Sequence, residues 1–225
     1  MKPRVLFLFI ITFIVVGCGT KEEKATRRQA DIRPFPILID TFGIETYGFR
    51  RLQDTTWQTT ANYRFYYIGK PDDTLYLHPF GYEEYAFALE ESPEYNYGES
   101  ADIKVRTDTS RKFLNSYPVL LTNKEPDTVC IGYGDYIPLI MEAVDSAGNW
   151  EPIEEPFIYV CGVGVKSVIL PPGECVISLA PVFRGDYKTK LRLSLGNNYS
   201  EPFDGSIHYR QFRSKYDSRG SYTEE

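Results

Sequence analysis

The chain has two histidines, His78 and His208. Neither stands in a spacing such as H-x3-H that would turn two imidazoles toward one metal. A Ser–His–Asp triad would have to use one of them, and no G-x-S-x-G elbow or HExxH accompanies either. Glu83-Glu84 and Glu90-Glu91 flank an aromatic run. Glycoside hydrolysis needs two carboxylates across one cleft at a fixed separation, which sequence neighbours do not supply. Glu90, Glu91, Glu94 and Glu99 lack the dense Asp/Asn/Gly spacing of a calcium loop. The glycines of CGVGVKS (161–167) are not followed by a helix pattern, so they make a poor phosphate cradle. No catalytic residue, metal ligand or cofactor is assigned. The chain is read as non-enzymatic, with a hydrolase as the weakest class.

Binding chemistry is better represented. Trp57, Trp150 and the tyrosines of EYNYGE, Tyr95 and Tyr97, are rings of the kind that stack on sugars. In a β-rich chain such rings also serve as core or cross-strand pairs. Leu170-Pro171-Pro172-Gly173 is a stiff loop that would lose little entropy on docking into a partner. Arg184-Gly185-Asp186 spells an integrin-type tripeptide at an expected turn. Two functions follow: a module binding glycan or protein, and an inhibitor-like or accessory subunit of an envelope complex. The formal charge of −6, with no basic cluster in the sequence, argues against nucleic acid.

These groups must be carried by sheet. Tyrosine occurs 18 times, and β-branched and aromatic residues favour strands. In YKTKLRLSL, Tyr187, Thr189, Leu191, Leu193 and Leu195 share one face; Lys188, Lys190, Arg192 and Ser194 share the other. That alternation marks a half-buried antiparallel strand. IKVRTD, NYRFYYIG, YPVLLTN and ECVISLAPVF are also strand-like, and YEEYAFALEE is the best helix candidate. SAGNW should turn a hairpin before Trp150, and LPPGE should feed the strand from Cys175 to Pro181.

Tyr63–Leu77 can be laid over Tyr117–Ile131. Each has a strand, then Gly69-Lys70 or Asn123-Lys124, then Asp-Thr, then an alternating apolar pair. Two related sandwich units or two similar hairpins would both give this. The expected fold is all-β, an antiparallel β-sandwich, immunoglobulin-like in the second half. Residues 34–100 form an N-terminal β region, 101–212 the immunoglobulin-like sandwich, and 213–225 a flexible tail. Tyr187 is placed to act as a tyrosine corner.

Lys2 and Arg4 precede an apolar run, Val5–Val16, broken only by Thr12. The run is shorter than the ~20 residues that span a bilayer, and it suits a signal peptide over 1–17. Val15-Val16-Gly17-Cys18 resembles the lipobox of bacterial lipoproteins. The resemblance implies diacylglycerol on the Cys18 thiol, cleavage before it and a lipidated tether over 18–33. Lys21, Glu22 and Glu23 resemble the export signal that Bacteroidota place after the lipidated cysteine. That implies the outer membrane, at the cell surface, with a periplasm-facing protein as the alternative. The membrane is then a partner through the lipid anchor. Losing 1–17 removes Lys2 and Arg4 and no acid, which takes the mature charge to −8.

Export would let thiols oxidise. Cys130, Cys161 and Cys175 allow three pairings; Cys161–Cys175 is preferred, and three buried thiols are the alternative. From Trp150 to Ile207, the run W-x-P-I-E, C-G, L-x-P-G-E, G-D-Y-K-T-K-L-R and Y-S-x-x-F-x-G-S-I resembles Bacteroidota lipoproteins with no assigned activity. The N-terminal resemblance to Bacteroidota lipoproteins implies O-glycosylation at Asp-Ser/Thr-small motifs. Ser146 in Asp145-Ser146-Ala147 is the preferred acceptor, ahead of Thr74, Thr128 and Thr55. Because the thiol is the expected acylation point, Cys18→Ser should abolish membrane association; a variant that still sediments with membranes and takes up labelled palmitate contradicts the lipobox.

Overall fold

ECVISLAPV has no polar face, so a strand built from it must be covered on both sides. In the computed structural model it is β15 (Cys175–Pro181), and Cys175 to Ala180 are all buried. The structure describes residues 34–40, 59–78, 89–90, 96–98, 100–113, 115–157 and 166–213. Before β15 come β1 (Ile37–Asp40), β2 (Thr59–Thr60), β3 (Tyr63–Gly69), β4 (Thr74–Leu77), β5 (Leu89–Glu90), β6 (Asn96–Tyr97) and β7 (Ile103–Thr107). There follow β8 (Ser116–Asn123), β9 (Val129–Tyr133), β10 (Tyr136–Ile137), β11 (Ile140–Val144), β12 (Trp150–Pro152), β13 (Glu154–Glu155) and β14 (Ser167–Leu170). After β15 come β16 (Tyr187–Leu195), β17 (Asn198–Tyr199), β18 (Phe203–Ile207) and a 3-10 turn, Tyr209–Phe212.

The fold is an antiparallel β-sandwich. A nine-stranded sheet runs β5-β14-β9-β10-β3-β15-β8-β7, with β6 beside β9. A five-stranded sheet runs β12-β11-β16-β17, with β18 also on β16. Val119, Leu121, Val176 and Ala180 of the first sheet pack with Met141, Leu191, Leu193 and Leu195 of the second in one apolar cluster. On the other face of β15, Cys175, Ile177 and Leu179 pack with Leu75 and Leu77, from the parallel ribbon β1–β4. The alternation along β15 thus feeds two cores rather than one core and solvent.

A bulge adjusts β3 to this. Ile177 pairs with Tyr67 and Ser178 with Phe65, so Tyr66 is the extra residue. Phe65 and Ile68 face the main core, while Tyr66 and Tyr67 both join the second one. Ser178 donates to the Arg64 carbonyl at 2.7 Å beside the bulge. Glu154, a buried carboxylate, ties both sheets: the Tyr63 hydroxyl on β3 and the Met141 amide on β11 both donate to Oε2, the latter at 2.9 Å.

Several expectations change here. Phe35–Glu225 is one compact unit, and β3 lies between β15 and β10, so a boundary at 100/101 does not separate two domains. The two echoed segments are not hairpins. β4 pairs with β1, and β9 with β10, β14 and β6. Instead β3 and β8 flank β15 on opposite edges, both antiparallel to it. Leu89 and Glu90 of the helix candidate form strand β5, on β14; the rest of that segment lies outside the described residues. The Tyr187 hydroxyl donates to Val144 on β11 at 3.3 Å, a contact across the sheet rather than a tyrosine corner.

Leu193 is fully buried in the main cluster. Leu193→Ala should cost about 2–5 kcal/mol in urea unfolding. Leu193→Asp would bury a charge among apolar neighbours and should abolish the cooperative transition; a soluble, cooperatively unfolding Leu193→Asp protein would contradict this placement.

Candidate functional site

The outer face of the five-stranded sheet gathers rings and charges. On β16 the inward leucines fix the opposite row, Lys188, Lys190 and Arg192, toward the outside. On β11, Met141 and Ala143 are buried, which turns Glu142 and Val144 to the same outer face. Register then places Glu142 directly opposite Arg192, and Val144 opposite Trp150. On the far side, Leu195 pairs with Asn198 across a two-residue turn in which Gly196 has φ +55°. That turn sets Tyr199 opposite Ser194.

Arg192 joins these groups. Its Nε donates to Glu142 Oε2 at 2.7 Å, and both side chains are less than a fifth exposed. Its guanidinium carbon lies 4.4 Å from the Trp150 ring centre and 3.9 Å from that of Tyr199. A guanidinium is planar and weakly hydrated, so it can stack on rings and hold an ion pair at once. Tyr199 remains 47% exposed. The result is a cluster on the sheet's outer face, spanning β12, β16 and β17, in which the guanidinium lies over both rings. Next along the face, Lys190 pairs with Asp204 at 2.8 Å, an exposed contact worth little.

The hairpin feeding Trp150 is the expected one. Asp145 Oδ1 accepts from the Ala147 and Asn149 amides, each at 2.8 Å, and Gly148 takes φ +88°. The Asn149 amide first, then Ala147, holds the Asp145 carboxyl below its ordinary range. Ser146 is exposed at the tip, its hydroxyl 2.8 Å from that of Tyr209. Tyr209 stacks edge-on against Tyr187 and Phe212.

The remaining candidates are scattered. Cys18, Lys21, Glu22, Glu23, Trp57, Tyr95 and Cys161 lie outside the described residues, as does the side chain of Tyr97. Cys175 carries a free, buried thiol; burial pushes its pKa up to about 12, helped by Glu174. Cys130 is also buried, its Sγ 3.6 Å from the Gly132 carbonyl. His78 follows β4, and His208 Nδ1 lies 3.7 Å from Asp186. Leu170–Gly173 closes a tight turn: the Glu174 amide donates to Pro171, and buried Asn123 holds the Leu170 carbonyl at 2.8 Å. In Arg184-Gly185-Asp186 the glycine is there for packing, because a Cβ would fall 2.0 Å from the Ile207 carbonyl carbon.

Of the expected rings, Trp150 alone has a described side chain, and it belongs to the gathered surface. Arg192, Glu142 and Tyr199 were not expected as site residues. Arg192 was visible as the outward position of β16, but its partners depend on strand register. No protein family matches the chain, and no curated protein or solved structure is significantly similar to it.

Arg192→Ala should destabilise the protein by about 2 kcal/mol in urea unfolding, since two ring contacts and a partly buried ion pair are lost. Arg192→Lys should recover less than half of that, because an ammonium lacks the planar fork. Full recovery by lysine would mean that charge alone matters there.

Proposed function

We propose that the protein is a non-enzymatic cell-envelope lipoprotein that binds glycan through the outer face of its five-stranded sheet. The observation that carries this reading is the Trp150–Arg192–Tyr199 surface. Apolar ring faces stack on the C–H faces of sugars, and a held guanidinium adds hydrogen-bond donors at the same level. The surface is set by strands rather than loops, so little ordering is needed on binding. Anchoring through Cys18 at the outer membrane, displayed at the cell surface by Lys21-Glu22-Glu23, is part of the proposal. So is glycosylation of Ser146, whose exposure at a hairpin tip leaves room for a glycan. The immunoglobulin-like kinship of the 101–212 segment also remains a proposal, supported by its all-β sandwich and the Trp150–Ile207 motifs.

Glycan arrays probed with the full chain in nonionic detergent test the main claim. Trp150→Ala and Tyr199→Ala should each lose about tenfold in affinity, the order expected of one stacked ring. If neither variant changes any glycan signal, and an envelope protein co-purifies with both, the accessory-subunit reading replaces this one.

A further inference from the structure

We infer that the glycan bound on this face is anionic, its carboxylate or sulfate groups seated in a basic groove beside the aromatic surface. This rests on the glycan-binding reading above and names its ligand class. The groove has a volume of about 660 Å³, within the ~300–1,000 Å³ range of small-molecule sites. Lys112, Arg184, Lys188 and Lys190 line it, against a single acid, Asp204. Asp204 is already paired with Lys190. No carboxylate neutralises the other three among the described residues. Lys112 Nζ lies 5.9 Å from the Tyr117 ring centre, Arg184 contacts Asn115 Oδ1 at 3.5 Å, and the Lys188 amine has no partner among the described residues.

Composition does not account for this. The chain carries −6, so acids outnumber bases overall, yet the groove lining inverts that balance. Its cations also have fixed roots. Lys188 and Lys190 are held opposite Ser206 and Asp204 by the β16–β18 ladder. Arg184 is held between the Val182 amide, bonded to Asn115, and Gly185, packed on Ile207. Alternate residues of a strand stand ~7 Å apart, so Lys188, Lys190 and Arg192 form one row. That row leads from the groove to the Trp150–Tyr199 surface. Cations and rings in one line suit an acidic saccharide chain, with charged groups in the groove and sugar faces on the rings. A nucleic acid needs a longer stripe of cations than this row supplies.

Affinity electrophoresis of the full chain in nonionic detergent tests this, with polygalacturonate, dextran sulfate or neutral dextran cast in the gel. The first two should retard the protein, and high salt should weaken the effect. Which of them retards it more separates a carboxylate from a sulfate preference. Lys188→Ala with Arg184→Ala should weaken retardation about tenfold. Asp204→Ala, which releases Lys190, should strengthen it; a gain cannot come from misfolding. Array binding that is confined to neutral glycans, or retardation by acidic polymers that none of these variants alters, overturns the anionic assignment while leaving the glycan reading intact. Absence of any glycan binding removes both.

Discussion

Strand β15 has no side that tolerates water, and the architecture is arranged around that demand. Val176 and Ala180 close the core between the two sheets, while Cys175, Ile177 and Leu179 require a second cover. The β1–β4 ribbon supplies it with Leu75 and Leu77, joined by Leu38. Burying one such side chain is worth about 1.5–3 kcal/mol, so an uncovered outer face would forfeit much of an ordinary domain's stability. This is why residues early in the chain cannot form a separate domain. They provide a neighbour of β15, in β3, and a lid over it, in β1 and β4. Phe35 is held in the same region by Arg106 and Arg111, 5.6 Å and 5.3 Å from its ring centre. Arg111 also donates to the Pro36 carbonyl and pairs with Asp108.

The outer surface depends on the inner one through register. Leu191, Leu193 and Leu195 lock β16 to the core, and a slip of one residue would turn Arg192 inward. With the strand locked, Glu142 faces Arg192 and holds it among the rings. Glu154 fixes the relation between the sheets, since its carboxylate accepts from β3 and β11 together. The ring and guanidinium cluster on the outer face is therefore set by apolar burial one layer below it.

What the sequence disclosed follows from the same physics. Alternation in YKTKLRLSL gave the buried face of β16 correctly, because one face meets the core and the other meets solvent. The turn composition of DSAGN gave the hairpin before Trp150. ECVISLAPV could be read as a strand, but the need for a second core is not written in its pattern. The bulge at Tyr66 was hidden, since Tyr66 and Tyr67 look like an ordinary aromatic pair until β15 is laid beside them. The echo of Tyr63–Leu77 in Tyr117–Ile131 suggested hairpins because Gly, Asn and Asp-Thr signal a turn. They do turn the chain, but each returning strand joins a different neighbour. Local signals give where the chain bends; partner choice is settled by long-range burial. Arg192 could not be recognised as the centre of a site for that reason, as its three partners lie on β11, β12 and β17.

The charge distribution follows from strand pairing as well. Arg184, Lys188 and Lys190 lie within seven residues of one another in the sequence, with Asp186 among them, while Lys112 is remote. Folding brings Lys112 to them: the turn at Gly185 and the β16–β18 ladder set the cations along one groove, and one carboxylate, Asp204, comes with them. Gly185 is required by contact distance alone, since a Cβ would strike Ile207. The residue that made the tripeptide conspicuous therefore packs β18 against the loop and sets Arg184 at the groove. A negative chain can keep a positive groove only if its acids lie elsewhere, and here Asp204 alone among the acids lines the groove.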